Sequence, residues 1–569
     1  MAGIVTLGLI SYASAVAGIF FHATVLIFSI PIITVTLILL FRWILRETIS
    51  TRMIFTCLIA LSFALLLPVE PSVFSGRDQG SIAEAAIELA HNGTLHFSSP
   101  AVTTFSDIYG PGKALNFPGF YYDDNGKLTT QFPIGSISFL ATFVSLFGIT
   151  GLLVANGVLL IASLSTLYVL VRTLANERYA VGTFFAGALS FLPLWFSKFT
   201  LSENLSLFLF LFLSLTLVRF LRKPDSATFF VSFFLAIFFA ATRFEGLFSL
   251  AVSIVILFLT PSGRKFSEKD RLMRRIVPVI ILIAALFINV FSSTPMYRSI
   301  GKALLQDGFA TEHPIGTNGF ASTVALWNLF IPYGLFLPFV LGIISLVLLL
   351  FRKRFLALIP AMLAIPTFLF LIDPTITPDH PWMLRRFLFS LWPTFFVSVP
   401  VASYLFIKDN KSRVIRSLPI ALFVLIVIFS LPATTRSFSV SENRGLINET
   451  STLTRRFGNR DLLLIDREAT GDPYTIPAGP IRFLYGKNAA YFFNPSDYEK
   501  IPKDRYDHIY LLTPIGKIPS QSDIRATVGE VSIIPFSFQR LERLPLSVAR
   551  LPKLETVSQD AALVELKPL

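Results

Sequence analysis

The amino-acid sequence predicts a polytopic α-helical membrane protein with a soluble α/β domain at its C-terminal end, and two observations lead to this prediction. Apolar residues make up 53% of the 569 residues and charged residues only 15%, whereas about 25% of an average soluble domain is charged. The charge is also unevenly distributed, because residues 434–569 contain 34 of the 83 Asp, Glu, Lys and Arg side chains. We therefore expect a long membrane part followed by a soluble part.

Thirteen charge-poor apolar segments approach the roughly 20 residues that a helix needs to cross a bilayer. The first two form a predicted N-terminal hairpin, residues 1–52, and the others belong to a membrane domain, residues 53–433. The segment from Phe132 to Phe147 is shorter, and we expect it to lie at the interface or to re-enter the membrane. The predicted spans are residues 3–21, 24–41, 53–69, 150–171, 179–197, 204–218, 226–241, 246–260, 277–294, 326–350, 355–372, 387–406 and 417–433.

The basic residues indicate which side of the membrane each loop occupies, because Lys and Arg in short loops resist translocation. One alternation of sides places 21 of the 30 bases that precede residue 434 in the cytosol, among them Arg178, Lys408 and the run from Arg264 to Arg275. The same alternation places two large loops, about residues 70–149 and 295–325, outside together with residues 434–569. We therefore expect a multi-pass protein of the cell membrane whose active site and C-terminal domain are extracytoplasmic.

Residues 434–569 alternate short apolar runs with turn residues, which is typical of strands. The polar stretches between the runs are long enough for small helices, so we predict a compact extracytoplasmic α/β domain. The predicted strands are residues 461–466, 489–493, 508–513, 531–536 and 561–566.

Composition also narrows the class of partner. The net charge of +13 would favour nucleic acid in a soluble protein, but in a polytopic protein bases mark cytosolic loops and anionic headgroups. The single cysteine, Cys57, lies in an apolar run, so no intrachain disulfide can form. We expect the lipid bilayer to be a partner and nucleic acid not to be one.

The first outer loop contains a candidate catalytic acid. Arg77 and Asp78 come about nine residues after the third predicted span, and the next residues predict a short amphipathic helix on the outer membrane surface. Asp78 then precedes the helix, where a carboxylate either satisfies free backbone amides or serves as a general base at the membrane edge. The signals for the helix are the capping-box spacing of Ser81 and Glu84, the apolar face of Ile82, Ala85, Ala86 and Leu89, and the stop signal Asn92-Gly93.

Three further polar clusters contain candidate substrate-binding residues. Lys127 ends the segment Asp123–Lys127, which is either a solvated Asn-Gly hairpin turn or a polar turn that reaches the substrate. Arginines at the ends of predicted spans either bind substrate or snorkel and pair with nearby acids. A histidine next to a proline either lines the substrate pocket or is structural. These residues are Arg243 with Glu245 and Glu203, the adjacent Arg385 and Arg386, and His380 with Trp382 in the loop 373–384.

Five motifs in chain order resemble the GT-C superfamily of polyprenyl-phosphate-sugar-dependent glycosyltransferases, in particular the protein O-mannosyltransferase and lipid A aminoarabinose transferase clan. The resemblance covers about residues 53–433, although Ile134 replaces a second proline and Gln131 stands where a basic residue is common. The motifs are RD-x-G at Arg77–Gly80 with a helix ending NGT, DNGK and FP-x-G between Asp124 and Gly135, Leu201–Asn204, Thr242–Gly246, and Arg385–Phe387 before Pro393.

The resemblance implies that Asp78 is the catalytic base of an inverting transfer from a polyprenyl-phosphate-linked hexose. Such a donor carries its own leaving group, so one base that deprotonates an acceptor hydroxyl suffices, whereas a glycosidase needs a second carboxyl. No cofactor is assigned; a divalent cation stays an alternative, although no second acid beside Asp78 supports a site for it. The cations expected to stabilise the departing phosphate are Lys127, Arg243, Arg385 and Arg386, with Arg77 next to the base.

Other classes of function remain open from the sequence. A flippase or transporter of lipid-linked saccharide would need ionisable groups near the middle of several spans, and a polysaccharide polymerase or ligase would share the large outer loop and the arginines. A catalytically inactive scaffold with a binding tail is the third alternative. The acceptor is open as well, among a protein, a glycolipid and a polysaccharide.

Overall fold

The computed structural model describes residues 1–264, 319–372, 379–408, 412–520 and 524–568. The ninth predicted span, residues 277–294, most of the cytosolic run from Arg264 to Arg275 and most of the predicted loop 295–325 lie outside these residues. Residues 373–378 of the loop before Leu384 also lie outside them. The structure therefore leaves these predictions untested.

Helices occupy every predicted span within the described residues. In chain order, residues 1–438 form α1 (Ala2–Val16), α2 (His22–Arg46), α3 (Ile49–Leu66), α4 (Asp78–Asn92), α5 (Pro100–Tyr109), α6 (Ile134–Phe147), α7 (Gly151–Leu174), α8 (Glu177–Ala188), α9 (Phe191–Phe196), α10 (Ser202–Arg222), α11 (Ser226–Thr242), α12 (Glu245–Ile254), α13 (Gly319–Phe330), α14 (Phe336–Phe351), α15 (Phe355–Leu363), α16 (Leu391–Ile407) and α17 (Arg413–Phe438).

Four helical segments of the described chain are long and apolar enough to cross a membrane, namely residues 22–46, 134–174, 202–222 and 419–438. Other predicted spans are shorter or divided. The span 326–350 is interrupted after Phe330, where Pro332 has no amide hydrogen and Gly334 has a φ of +68°. The exact number of thirteen spans stays a prediction.

The interior of the bundle is formed around α10, which packs against α7, α11 and α15 and is buried over nearly its whole length. In contrast, α2 buries only Val25 and Ser29, which is typical of a helix that faces lipid. The last helix is fastened to the bundle by Lys198, whose Nζ donates to the carbonyl oxygens of Ser437, Phe438 and Val440 at 2.6–2.8 Å. A lysine at this place satisfies carbonyls that the end of α17 leaves free.

The sequence predicted α4 correctly as a helix but not its surroundings. Instead of lying on a membrane surface, α4 is buried from Gln79 to Ala90 between α6 and the C-terminal part of the chain. The predicted capping box is absent, because the Ser81 hydroxyl donates to the carbonyl of Pro118. The predicted stop signal is present, since Gly93 ends the helix with a φ of +72°.

Helix α6 covers the segment predicted to be interfacial or re-entrant. Its 14 residues span about 21 Å, which is less than the roughly 30 Å of a hydrocarbon core. It is enclosed by α1, α4, α7 and α11, so it is an interior helix of the bundle. Its placement relative to the membrane stays a prediction.

Four short strands of the first outer loop form an antiparallel sheet, and a larger sheet lies in the C-terminal part. The strands β1 (His96–Phe97), β2 (Gly112–Lys113), β3 (Phe120–Tyr122) and β4 (Leu128–Thr130) are ordered β1-β4-β3-β2. A further strand, β5 (Asp379–His380), precedes α16.

The C-terminal part contains α18 (Leu446–Thr454), β6 (Leu462–Ile465), α19 (Ala478–Phe483), β7 (Asn488–Tyr491), β8 (Ile509–Pro514), β9 (Ala526–Leu541), β10 (Leu544–Pro545) and β11 (Leu554–Pro568). The five-stranded sheet has the order β7-β6-β8-β11-β9, in which β7, β6 and β8 are parallel and β11 is antiparallel to both neighbours. Strands thus lie at all five places where the sequence predicts them.

The first outer loop and the C-terminal part pack together as one layer over the helices. Ser75 forms a β-bridge with Ile476, the Asn116 side chain donates to the Tyr491 carbonyl at 2.7 Å, and β10 pairs with β5. The proposed domain boundary at residue 434 stays a prediction, as does the extracytoplasmic side of this layer.

Candidate active site

Four chain segments bring charged side chains together beneath this layer. They are the start of α4, the start of α10, the junction of α11 with α12, and the 3-10 helix Trp382–Phe387, here named the arginine turn. Each segment lies where a helix begins or ends, so polar groups meet at one end of the apolar bundle. The resulting acid–arginine cluster consists of Asp78, Glu203, Arg243, Glu245, Arg385 and Arg386.

Asp78 is the first residue of α4 and pairs with the arginine turn. Arg385 Nη2 lies 2.5 Å from Asp78 Oδ2 in an ion pair, and the arginine is buried whereas 39% of the Asp78 side chain is exposed. Oδ1 has no partner among the described residues. The pairing therefore orients the carboxylate and leaves one of its oxygens accessible for a proton.

Glu203 links Asp78 to the second half of the cluster. Its Oε1 lies 3.8 Å from Arg385 Nε and 3.0 Å from Arg243 Nη1. The side chain is held there because Asn204 donates to the carbonyls of Phe196 and Phe199, which fixes the turn before α10. A fully buried carboxylate between two arginines is stable only with such charge compensation.

Arg243 and Glu245 form a bidentate pair at the junction of α11 and α12. Arg243 Nε donates to Glu245 Oε2 at 3.1 Å and Nη2 donates to Oε1 at 2.9 Å. Arg243 Nη1 also donates to the Ser202 hydroxyl at 3.2 Å. Most donors of Arg243 are therefore already used, and the pairing with Glu203 and Glu245 that the sequence left open is what the structure shows.

Arg386 differs from the other arginines of the cluster. Its Nε is buried and has no hydrogen-bond partner, and no ion pair joins it to a described residue. Burial and the nearby charges of Arg385 and Arg243 lower its pKa to about 10, which still leaves it charged at neutral pH. Arg386 is thus a partly buried cation without an ion pair to a described residue, and its guanidinium can accept an anionic partner.

Arg77 points away from Asp78 and into a cation–aromatic stack formed by Arg385, Trp382, Arg77, Tyr474 and Arg543. The guanidinium carbons of Arg385 and Arg77 lie 4.6 and 4.9 Å from the Trp382 ring centre, and those of Arg77 and Arg543 lie 4.3 and 4.6 Å from the Tyr474 ring centre. Arg77 Nη2 also donates to Asp379 Oδ2 at 2.5 Å. The stack connects the cluster to the C-terminal part.

The stack ends at a buried acid of the C-terminal part. Asp472 is inaccessible to solvent and pairs with Arg543 and, at 2.8 Å, with Arg540. Although burial opposes the charge, Arg543 and Arg540 hold the pKa of Asp472 at about 2. The sequence analysis missed Tyr474, Arg543 and Asp472, because no local pattern connects them with residues near the start of the chain.

His380 has a structural role instead of lining a substrate pocket. It is fully buried, and both ring nitrogens are used: Nδ1 bonds the Tyr333 hydroxyl and Nε2 bonds the Val548 carbonyl, each at 2.9 Å. With the pairing of β5 and β10, these bonds fix the segment that leads into the arginine turn.

Lys127 lies in the solvated turn that the sequence offered as one of two alternatives. Asp123 Oδ1 accepts from the amides of Asn125 and Lys127 at 2.9 Å, and Gly126 has a φ of +72°. The Lys127 side chain is exposed and contacts no residue of the cluster among those described. We therefore remove it from the candidate phosphate ligands.

The described residues contain no group of three or more His, Cys, Asp or Glu side chains that could hold a metal ion. The partner of Asp78 is an arginine rather than a second acid. A divalent cation beside Asp78 would have to displace that arginine, so these residues do not fit a metal site in the observed arrangement.

Comparison with known proteins supports the fold. No family model and no curated protein sequence matches this chain. ArnT from Cupriavidus metallidurans aligns with a TM-score of 0.52 when bound to undecaprenyl phosphate, at 10% identity over 89% of this chain and 97% of that one, and with 0.50 in the apo state, at 12% identity over 90% and 97%. The Archaeoglobus fulgidus oligosaccharyltransferase in complex with zinc and sulfate aligns with 0.49, at 13% identity over 81% and 68%.

The two ArnT alignments show that this chain has the GT-C fold over most of its length. This confirms the fold that the five sequence motifs predicted. At 10–12% identity the alignments establish architecture only, so the chemistry has to be argued from the cluster itself.

Proposed function

We propose that the protein is an inverting glycosyltransferase that moves a hexose-type sugar from a polyprenyl phosphate to an acceptor on the extracytoplasmic face of the membrane. The observation that carries the proposal is the combination in one cluster of a partly exposed carboxylate, Asp78, with a partly buried cation, Arg386, that forms no ion pair with a described residue. Asp78 can act as the base, and Arg386 can bind an anionic leaving group.

The reaction requires one proton transfer and one displacement. Asp78 takes the proton of an acceptor hydroxyl, whose oxygen forms a bond to the anomeric carbon as the bond from that carbon to the phosphate oxygen breaks. The bonding electrons leave with the polyprenyl phosphate, and its phosphate gains one negative charge. Attack from the side opposite the phosphate inverts the anomeric centre.

Arg386 supports departure of the phosphate. The three arginines and three acids of the cluster compensate one another in number, but Arg386 alone has neither a hydrogen bond nor an ion pair to a described residue. A fixed cation in a site with little water stabilises a developing anion more strongly than an exposed one does. The undecaprenyl phosphate bound to ArnT from Cupriavidus metallidurans, a protein of the same fold, supports a lipid phosphate as the donor class.

The test is a transfer assay with purified protein and membranes that supply the acceptor. The probe is a radiolabelled polyprenyl-phosphate hexose, with the corresponding nucleotide sugar as the alternative donor. We expect release of polyprenyl phosphate and label in an acceptor fraction with the lipid donor alone. Transfer from the nucleotide sugar, or consumption of neither donor, would contradict the proposal.

A variant pair tests the role of the free arginine in the same assay. Arg386→Gln should lower turnover by about 100-fold, the usual cost of removing one donor to a developing anion. Arg456→Gln removes an exposed arginine of the C-terminal part and should leave turnover unchanged. Equal turnover in the two variants would exclude Arg386 as the phosphate ligand.

A further inference from the structure

A large groove lies between α8, α16 and α17, at some distance from the acid–arginine cluster. Its volume is about 780 Å³, within the range of small-molecule binding sites. Gly182 brings α8 close to α17, since a Cβ atom there would lie 2.7 Å from the Phe423 ring. Most of the wall is apolar, with Phe185, Val424 and Ile428 among its residues.

The groove opens at the opposite end of the bundle from Asp78. Helix α16 begins six residues after Arg385, runs for 17 residues and is followed at once by Lys408. About 26 Å of helix therefore separates Lys408 from Arg385 of the cluster. Arg178 stands at the start of α8, and α8 with α9 leads to the segment before Glu203. Arg178 and Lys408 are therefore about one hydrocarbon thickness away from the cluster.

Two cations lie at one end of the groove. Arg178 and Lys408 both line the groove and are exposed, and neither side chain has an ion pair with a described residue. The neighbouring acid, Glu177, accepts a hydrogen bond from Thr48. Tyr179 and Tyr404 lie between the bases and the apolar wall, with ring centres 5.7 Å apart.

We propose that this groove binds an anionic phospholipid of the leaflet that lies opposite Asp78. The phosphate contacts Arg178 and Lys408, the tyrosine hydroxyls donate to the headgroup, and one acyl chain lies along α17 beside Val424. Basic pockets between membrane helices bind anionic headgroups in this way. Among the described residues that line the groove, two are basic and none is acidic, so an anionic headgroup fits better than a zwitterionic one. The inference does not depend on the proposed glycosyltransferase activity.

The experiment measures retained lipid by native mass spectrometry after purified protein is exchanged into detergent containing either phosphatidylglycerol or phosphatidylcholine. We expect phosphatidylglycerol to be retained at least tenfold better than phosphatidylcholine by the wild type. The double variant Arg178→Gln/Lys408→Gln should lose this preference. Arg222→Gln/Lys223→Gln, which removes two exposed bases at the end of α10, should keep it.

A second variant tests the acyl-chain part of the groove without altering charge. The Val424 side chain is half exposed, and Val424→Trp should fill the groove and lower retention of phosphatidylglycerol while the protein stays folded. The proposal would be overturned if the wild type retained both lipids equally or if the two double variants lost the preference equally. It would also be overturned if an equimolar polyprenyl phosphate displaced phosphatidylglycerol.

Discussion

At the scale of single residues, the ion pairs of the acid–arginine cluster distinguish it from an ordinary network of buried ion pairs. Arg243 is engaged by Glu203 and Glu245, and Arg385 by Asp78. Arg386 alone has neither a hydrogen bond nor an ion pair to a described residue, although Glu203 and Glu245 partly offset the charges of Arg385 and Arg243 that act on it. A cation whose donors are left free near the exposed Asp78 can take up an added anion there.

Not every buried charge in this part of the molecule serves the site. Glu84 is buried on α4 against Gly479 of α19, and its Oε1 has no hydrogen-bond partner among the described residues. Burial raises the pKa of Glu84 well above its ordinary value, and contacts with Ser75 oppose the shift only in part. Because the folded-state pKa is raised, the stability that this group contributes is present below pH 4.5 and is lost as pH rises through the folded value.

Glu84→Gln should remove this pH dependence. At pH 8 we expect the variant to be more stable than the wild type by at least about 1 kcal/mol, since one pKa unit corresponds to 1.36 kcal/mol. Near pH 4 the two proteins should unfold at similar temperatures in a thermal melt. Glu530→Gln is the control, because it removes an exposed acid of β9 and should leave the stability unchanged at both pH values. A Glu84→Gln effect that is the same at both pH values would contradict this account.

Single residues were also where the sequence was most informative about the site. Asp78, Glu203, Arg243, Glu245, Arg385 and Arg386 were all selected from short motifs, and the structure brings them together. Lys127 came from the DNGK motif and His380 from residue type alone, and the structure places the first in solvent and the second in a saturated hydrogen-bond network. A motif with several constrained positions carries more information about a site than a polar residue does.

At the scale of elements, the arginine turn depends on the C-terminal part for its position. His380 and β5 hold its beginning, and Trp382 is enclosed between Arg77 and Arg385. Arg77 in turn stacks on Tyr474, which follows the buried Asp472. The layer above the helices is therefore part of the active-site framework rather than a separate appendage.

Tyr474→Leu tests this coupling. Of the three cation–aromatic contacts of Tyr474, the one with Arg77 leads to the cluster. Its loss, worth about 0.5–1 kcal/mol, should lower the rate of transfer roughly two- to fivefold with little change in the KM for the donor. Tyr474→Phe retains the ring and should retain the rate. If both variants kept the wild-type rate, the stack would have no positioning role. If both variants lost activity to the same extent, the hydroxyl rather than the ring would matter.

Helix α4 shows what apolar periodicity predicts about an element and what it does not predict. The apolar spacing from Ile82 to Leu89 and the terminal Gly93 identified the helix and its end. The pattern could not reveal that Glu84 and Glu88 are buried as well, because their neighbours come from distant parts of the chain: Glu84 lies against Gly479 and Glu88 faces Arg482. Polar residues that are buried against such partners look like a solvated face in the sequence.

At the scale of the whole molecule, the fold followed from the sequence more readily than the packing of its layers. Composition and apolar segment lengths predicted the helical bundle, and five motifs predicted the GT-C architecture that the ArnT structures share. The joining of residues 70–131 with the C-terminal sheet had no local signal, since contacts such as Asn116 with Tyr491 link residues far apart in the chain.

Membrane orientation is the prediction to test at this scale. In a protein whose single native cysteine is replaced by Cys57→Ala, Lys127→Cys should react with a membrane-impermeant maleimide in intact cells, because Lys127 lies in an exposed turn of the outer layer. Arg178→Cys, at the other end of the bundle, should react only after the membrane is permeabilised. The reverse pattern would place Asp78 and the C-terminal sheet in the cytosol and would contradict an extracytoplasmic site.

The most direct test of the central claim is the initial rate of sugar transfer from a polyprenyl-phosphate hexose, compared between Asp78→Asn and Asp124→Asn. Asp124 is an exposed acid in the turn of the same outer loop, so the two variants make the same chemical change, and thermal melts establish that both are folded. The account predicts a fall of about 100-fold or more for Asp78→Asn, the usual contribution of a general base, and no change for Asp124→Asn. Equal rates in the two folded variants would show that Asp78 only begins a helix and pairs with Arg385.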